Sequence, residues 1–194
     1  MKTEYINAFP TLVKVIENFI TKEQCEDIKK FFWQTKLKPH ALLENGGVSN
    51  YDLDSDFLGD VSNSINSCTD LKNRIDTLLY EYSFASGITH KVIDRSWANF
   101  QPKGSRLVPH THPSSCITGA LYVSVESATP LILHNPNPYV KFTAKDNLTK
   151  YTSEEFTIHP KQGMAVLFPS WITHSSDVSY SEERIVISFN GGLR

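Results

Sequence analysis

The chain has 194 residues, enough for one domain that buries its own core, and its 40% hydrophobic and 21% charged residues are an ordinary globular composition. Its formal net charge of -2 excludes the strong basic surplus by which many proteins hold nucleic acid or anionic membranes, so we expect neither as a partner. The three cysteines, Cys25, Cys68 and Cys116, include no C-x-x-C pair, and the sequence shows neither a signal peptide nor an apolar run of membrane-spanning length, so we predict a cytoplasmic protein with reduced thiols.

The first half of the chain is predicted to contain two helices with an irregular segment between them. A capping-box pattern at residues 21–24 opens a first helix, whose apolar residues recur at helical spacing to about Gln34. Residues 36–60 are rich in turn formers and predict irregular structure. An apolar stripe over residues 64–85, followed by Gly87 as a stop signal, predicts the second helix.

Short β-type runs separated by turn residues begin near residue 90. Many short strands of this kind are typical of a sandwich or barrel. We therefore predict a mainly β protein in which a helical and irregular N-terminal part, residues 1–90, packs on a β core, residues 91–194, within one structural domain. The polar segment 135–152 is predicted to be a long loop that borders a binding site. The predicted strands are residues 91–100, 106–110, 117–125, 131–134, 155–159, 164–168 and 184–189.

A histidine pair, His110 and His112, is the sharpest chemical signal in the sequence. In an extended chain the side chains of residues i and i+2 point to the same face, so two imidazoles can bind one metal ion. His174 lies far downstream and offers a third ligand. For an isolated H-x-H pair the commoner interpretation is two surface histidines beside a proline turn, and that alternative stays open at this point.

An arginine at the start of an apolar strand is the second signal. Arg184 and Ser188 share one face of the alternating segment 184–190. Burying a guanidinium is costly unless it meets an anion, and a guanidinium can bind a carboxylate through two parallel hydrogen bonds, to which Ser188 can add a third. The alternative is a surface arginine paired with Glu182 or Glu183.

Together these residues resemble the superfamily of iron(II)- and 2-oxoglutarate-dependent oxygenases, over about residues 90–194. They look most like a bacterial and viral branch whose substrates are undefined. The spacing of Gly163, His174 and Arg184 is the most specific part of the resemblance. The resemblance implies a core with the fold of a double-stranded β-helix, or jelly roll. The motifs that carry it are residues 110–112, 119–123, 160–163 leading to 167–171, His174, and 184–190.

The resemblance implies a metal site and a cosubstrate site. Fe(II) would be bound by His110, His112 and His174. The second cofactor, 2-oxoglutarate, would be held by residues that face the same site. In this superfamily O2 and 2-oxoglutarate are consumed as a substrate is hydroxylated, and succinate and CO2 are released. The implied cosubstrate contacts are Arg184, Ser188 and Tyr122 at the distal carboxylate, with Asn99 as a further contact.

The substrate is the least specified part of this prediction. By analogy with the superfamily it would be a small molecule or a peptide, with hydroxylation of a peptidyl residue such as proline. Trp171 and His134 are candidate substrate contacts, because each borders a predicted site strand. His40, His90 and His159 are interpreted as structural or surface residues.

His112 departs from the common triad of the superfamily, in which an aspartate or glutamate occupies that position. Three neutral ligands leave more positive charge on the metal, which a dianionic cosubstrate can offset. Asp94 and Asp177 would supply a carboxylate only if the fold brought one of them close. The alternatives are a three-histidine zinc enzyme, a cupin-type metalloenzyme, and a catalytically inactive binding module on the oxygenase fold.

Overall fold

The computed structural model describes residues 2–53, 56–90, 92–125, 129–142 and 147–193. Residue 91, at which the predicted core begins, and residues 143–146 of the predicted loop lie outside these ranges. The helices are Lys22–Phe32 (α1), Phe57–Ser64 (α2) and Leu71–Ser86 (α3), with short 3-10 turns at Tyr51–Leu53, Asn66–Cys68 and Val140–Phe142. The strands are Lys14–Ile16 (β1), Lys38–Pro39 (β2), Leu43–Glu44 (β3), Val48–Ser49 (β4), Val92–Gln101 (β5), Arg106–Leu107 (β6), Ile117–Val125 (β7), Leu131–His134 (β8), Glu155–Ile158 (β9), Ala165–Pro169 (β10), His174–Ser176 (β11) and Arg184–Gly192 (β12).

Most strands belong to one large antiparallel sheet in the order β1-β10-β7-β12-β5-β4-β2. A three-stranded sheet, β11-β8-β9, and a two-stranded ribbon, β3-β6, complete the β structure of the described residues. Strands from before residue 90 join the large sheet at both of its edges. The predicted division of the chain at that residue stays a prediction.

Two hydrophobic clusters cover the two faces of the large sheet. On β12, Ile187 and Phe189 pack in the cluster that contains the helices, while Val186 packs in a second cluster with Leu131 and Leu133 of the smaller sheet. The alternation of side chains along β12 therefore directs one face to the helices and the other to the space between the sheets. The predicted architecture, mainly β with N-terminal helices, is confirmed.

The N-terminus of α1 forms as the sequence predicts. The Thr21 hydroxyl accepts a hydrogen bond from the amide of Gln24 at 3.1 Å, and the Gln24 side chain accepts one from the amide of Thr21 at 3.0 Å. Helix α1 ends at Phe32, two residues before the predicted end at Gln34. No helix among the described residues is long and apolar enough to span a membrane.

The second predicted helix, over residues 64–85, was wrong at its start. Helix α2 begins inside the segment predicted to be irregular, residues 36–60, and extends beyond it to Ser64. The Asp56 carboxylate caps this helix by accepting a hydrogen bond from the amide of Gly59 at 3.2 Å. Ile65 then adopts an extended conformation, which ends α2. Helix α3 begins only at Leu71 and stops before Gly87, whose φ of 73° is left-handed.

Candidate metal centre

Three histidine side chains converge at one end of the cavity between the two sheets. The possible ligand nitrogens of His110, His112 and His174 all lie within 4.8 Å of one another, and Nε2 of His112 is 3.4 Å from Nε2 of His174. His110 and His174 are brought together by two main-chain hydrogen bonds of 3.1 and 3.0 Å between their amides and carbonyls. The main chain therefore fixes two of the three side chains beside each other.

The ring orientations of His110 and His174 are each set by a hydrogen bond from the ring to a main-chain carbonyl. Nδ1 of His110 donates to the carbonyl of Val108 at 2.9 Å, and Nδ1 of His174 donates to the carbonyl of Ile172 at 3.0 Å. A neutral imidazole that donates from Nδ1 presents a lone pair at Nε2. Both rings are thereby prepared to bind a metal ion through Nε2.

The electrostatic environment keeps the three imidazoles neutral. Burial, followed by the repulsion of the neighbouring His110, lowers the pKa of His112 to about 4. Burial and then the same neighbour lower the pKa of His174 to about 3, and burial also lowers the pKa of His110. At neutral pH the cluster consists of uncharged nitrogen donors, which is the form that binds cations.

No carboxylate takes part in this cluster among the residues that the structure describes. Asp94 instead accepts a hydrogen bond from the Ser115 hydroxyl at 3.0 Å, and Asp177 accepts one from the amide of Val178 at 2.7 Å. The two acids considered as substitute ligands therefore have other partners. Three imidazole nitrogens suit Fe, Zn, Ni or Cu rather than Mg or Ca, so the donor set fits iron.

Arg184 lines the same cavity and is only 2% exposed. Its Nε and Nη1 atoms are buried without a hydrogen-bond partner, and its guanidinium carbon lies 5.6 Å from the ring centroid of Tyr122. Burial lowers the pKa of Arg184, although Tyr122 opposes the shift. A buried cation with unused donors is a site for an anion, because unmet donors of this kind are otherwise costly.

The alternative interpretation of Arg184 as a surface ion-pair residue fails. Glu183 pairs with Lys29 at 2.5 Å, and Glu182 pairs with Lys103 at 3.3 Å. Both acids are therefore engaged with lysines, while the guanidinium points into the protein. An anionic partner for Arg184 would therefore have to be a ligand that binds in the cavity.

The other predicted cosubstrate contacts lie along the cavity wall. Asn99 on β5 donates to the Ser188 hydroxyl on β12 at 3.0 Å, and both side chains line the cavity. Tyr122 on β7 is buried beside Arg184, and burial raises its pKa. Three neighbouring strands thus place these residues along the cavity that the three histidines and the buried guanidinium also line.

The two predicted substrate contacts, Trp171 and His134, stay predictions. Trp171 is 53% exposed. His134 has its Nε2 3.0 Å from the Ser175 hydroxyl, and its Nδ1 3.4 Å from the Glu155 carboxylate. Among the described residues that line the cavity, neither side chain is present.

An aromatic row, His40, Tyr51 and Trp97, was missed as part of the site and lines the cavity next to His112. The ring centroids are 5.1 Å apart between His40 and Tyr51, 5.0 Å between Tyr51 and Trp97, and 5.7 Å between Trp97 and His112. His40, interpreted from the sequence as a structural or surface residue, therefore faces the site. No local pattern marks these residues, because they come from separate segments joined by the pairing of β4 with β5.

Comparisons with known proteins agree with this arrangement. Residues 95–190 match a protein-family model described as "Putative 2OG-Fe(II) oxygenase", where 2OG is 2-oxoglutarate. No curated protein sequence matches the chain significantly.

Solved structures share the fold at low sequence identity. A prolyl-4-hydroxylase from Pseudomonas putida superposes with a TM-score of 0.67 at 12% identity, covering 95% of this chain and 94% of that one. A prolyl hydroxylase from Trichoplax adhaerens, solved with a peptide of hypoxia inducible factor, gives 0.66 at 14% identity, covering 93% and 83%. HygX from Streptomyces hygroscopicus, solved with nickel, 2-oxoglutarate and hygromycin B, gives 0.64 at 12% identity, covering 94% and 83%. These likenesses confirm the predicted jelly-roll core.

Proposed function

Since the chain belongs to the 2OG-Fe(II) oxygenase superfamily, by its match over residues 95–190 and by its fold, we propose that it is a dioxygenase that hydroxylates its substrate with the use of Fe(II), 2-oxoglutarate and O2. One observation carries this proposal. A cluster of three neutral histidines and a buried arginine with unused donors line one cavity. A cation and a dicarboxylate are the two ligands that such a cavity would hold together.

In this proposal the histidines hold Fe(II) and the polar wall holds 2-oxoglutarate. His110, His112 and His174 would hold the ion through their imidazole nitrogens, and Arg184 would bind the distant carboxylate of the cosubstrate through Nε and Nη1. When bound, the two cofactors supply an oxidation in which O2 is consumed, 2-oxoglutarate is cleaved to succinate and CO2, and one oxygen atom enters the substrate.

The other residues orient the cosubstrate and exclude water. Tyr122 is buried beside the guanidinium, and the low polarity of its ring would strengthen the hydrogen bonds between Arg184 and a bound carboxylate. Ser188 accepts from Asn99, so its own hydroxyl proton remains free for the cosubstrate. This arrangement leaves the aromatic row as the substrate side of the cavity.

We extend the proposal to a peptidyl residue such as proline as the substrate, with a small molecule as the alternative. The likeness to two prolyl hydroxylases supports this choice, as does the aromatic row, whose ring faces suit the C–H groups of a saturated ring. Proline-containing peptides should gain the mass of one oxygen atom during turnover. Stimulation of succinate release by small molecules alone would favour the alternative.

The first experiment is an anaerobic titration with Fe(II) and 2-oxoglutarate. A weak visible charge-transfer band that needs both components, and that is lost in His174→Ala, is expected. The matched control is His159→Ala, since His159 lies outside the cavity among the described residues.

Each of the other outcomes of this titration would favour a different function for the protein. Tight zinc binding without the band would identify a three-histidine zinc enzyme, the alternative favoured by the absence of a carboxylate from the described cluster. A folded protein that binds no metal would be a binding module on the oxygenase fold.

We also propose a cytoplasmic location, which the free thiols of all three cysteines support.

A further inference from the structure

His112 differs from the other two histidines in how its ring is held. His110 and His174 each donate from Nδ1 to the main-chain carbonyl two residues earlier. For His112 the equivalent carbonyl belongs to His110, and it already accepts the amide of His174 at 3.0 Å. The partner of the His112 ring at Nδ1 is instead a side chain from elsewhere in the chain.

That side chain is Asn190, on β12. Its Nδ2 lies 3.2 Å from Nδ1 of His112, and its Oδ1 accepts a hydrogen bond from the Thr118 hydroxyl at 2.8 Å. Asn190 is 6% exposed and Thr118 is 2% exposed, and the two residues face each other in the register between β12 and β7. The carboxamide is thus fixed between one histidine and one hydroxyl.

The orientation of this carboxamide decides which ring nitrogen of His112 carries the proton. With Nδ2 donating to Nδ1, the neutral ring carries its proton on Nε2, where it can donate to the lone pair of His174 at 3.4 Å. This hydrogen-bond network is complete without a metal. A ring protonated on Nε2 has no lone pair there, however, so it cannot bind the ion together with His110 and His174.

A half-turn of the carboxamide produces the opposite tautomer. Oδ1 then accepts from Nδ1 of His112, and Nδ2 donates to the Thr118 hydroxyl, whose proton is free for the carbonyl of Phe189 at 3.5 Å. The carboxamide again donates one hydrogen bond and accepts one, and Nε2 of His112 is free to bind metal. Asparagine suits both states because it carries a donor and an acceptor on one rigid group.

We propose that Asn190, held by Thr118, is a positioning residue that sets the ring tautomer of His112 and thereby the affinity of the site for its metal. The inference rests on the proposed function only in taking His112 as a ligand. Partners of this kind commonly change metal affinity by about ten- to a hundredfold when they are mutated. The inference also gives a role to Asn190, the last residue of the 184–190 motif, which is not among the proposed cosubstrate contacts.

Two substitutions at Asn190 should act in opposite directions. Asn190→Asp leaves only acceptors beside Nδ1, so it should hold the metal-binding tautomer and tighten Fe(II) or Co(II) binding by about tenfold. Asn190→Ala removes the side chain that holds the ring, so it should weaken Fe(II) or Co(II) binding by about ten- to a hundredfold. Affinity is measured by competition with a chelator, and the tautomer of His112 by 15N NMR of the ring nitrogens in the metal-free protein.

Thr118 and a second buried asparagine, which has no hydrogen bond to the His112 ring, provide the controls. Thr118→Ser should behave as the unmodified protein, whereas Thr118→Val should shift the tautomer because the carboxamide loses its second partner. Asn50→Asp introduces the same change at another buried asparagine, one that accepts from the amide of Ala98 at 2.8 Å, and should leave the His112 spectrum unchanged.

The outcomes separate this inference from the proposed function. Metal bound tightly by the unmodified protein, with affinity and the His112 tautomer unaltered in folded Asn190→Asp and Asn190→Ala, would overturn the role of Asn190 alone. An unmodified protein that binds no metal would overturn the proposed function. The NMR measurement would then still decide whether Asn190 controls the tautomer, because it needs no metal.

Discussion

Single residues set most of the chemistry of this site, and those with local signals were predictable. His110 and His112 are two residues apart and Arg184 is the first residue of an otherwise apolar strand, so each stands out in the sequence. Asn190 and Thr118 carry no comparable signal, because their contact with His112 depends on the register of β12 against β7. Local spacing thus marks the candidate ligands, whereas the residues proposed to orient them can be found only from the fold.

Arg184→Met should separate stability from cosubstrate binding. Replacing a buried, incompletely partnered cation by an apolar side chain is often neutral or stabilising by about 1–4 kcal/mol, so the melting temperature of the metal-free protein should stay equal or rise. Affinity for 2-oxoglutarate, measured by calorimetry, should fall by about a hundredfold or more, because charge-assisted hydrogen bonds contribute about 1.5–3 kcal/mol each. Equal loss of metal and 2-oxoglutarate binding would contradict the carboxylate-binding role.

His112→Asp should retain or strengthen Fe(II) binding. A carboxylate at this position offsets the charge of the ion, and it restores the two-histidine, one-carboxylate set that non-haem Fe(II) oxygenases commonly use. His112→Ala is the comparison, and it should weaken Fe(II) binding in the same chelator competition. Complete loss of iron from a folded His112→Asp protein would contradict the assignment of His112 to the position that a carboxylate occupies in the common triad.

At the scale of the elements, the strands with alternating or continuous apolar patterns were predicted well. The predicted strands at residues 117–125 and 131–134 coincide with β7 and β8. Strand β11 was missed because its sequence, His-Ser-Ser, has no β pattern, and it becomes a strand by pairing with β8. Strand β1 was missed for a similar reason, since three residues are too few for a periodic signal without their partner β10.

Gly163→Ala should disturb the turn before β10 far more than Gly87→Ala disturbs the end of α3. Both glycines have positive φ, 80° and 73°, so each alanine bears about 1–2 kcal/mol of backbone strain. At Gly163 an added Cβ would also lie 2.5 Å from the carbonyl oxygen of Ile20, whereas nothing lies within 4 Å at Gly87. Urea denaturation should show the larger loss for Gly163→Ala. Equal losses would mean that the turn relaxes around the added methyl.

The whole molecule is organised around the large sheet, which separates a helix-covered core from the cavity. Its helix-side cluster joins Ile28 and Leu79 of the helices to Leu121 and Ile187 of the sheet. Its other face carries the site between two sheets. The class of architecture was readable from composition and strand spacing, but the joining of N-terminal strands to both sheet edges was not, because pairing over such sequence distances leaves no local pattern.

Thiol accessibility should follow how deeply each cysteine is buried in the helix-side core. Cys25 and Cys68 lie in the helix-side core, where burial raises the pKa of Cys25 to about 11 and also raises that of Cys68. Cys116 is partly exposed. A thiol reagent should therefore modify Cys116 alone in the native protein and all three after denaturation, with Cys116→Ser as the control. Rapid native modification of Cys25 would contradict the packing of the core.

The position of β12 at the interior of the large sheet has a consequence for amide hydrogen exchange. Strand β12 is hydrogen-bonded to β5 on one side and to β7 on the other, whereas β1 and β9 each pair along one side only. Exchange with deuterated solvent should therefore be slowest in β12 and fastest in those two strands. The strand that carries Arg184, Ser188 and Asn190 would then open only when the entire sheet unfolds.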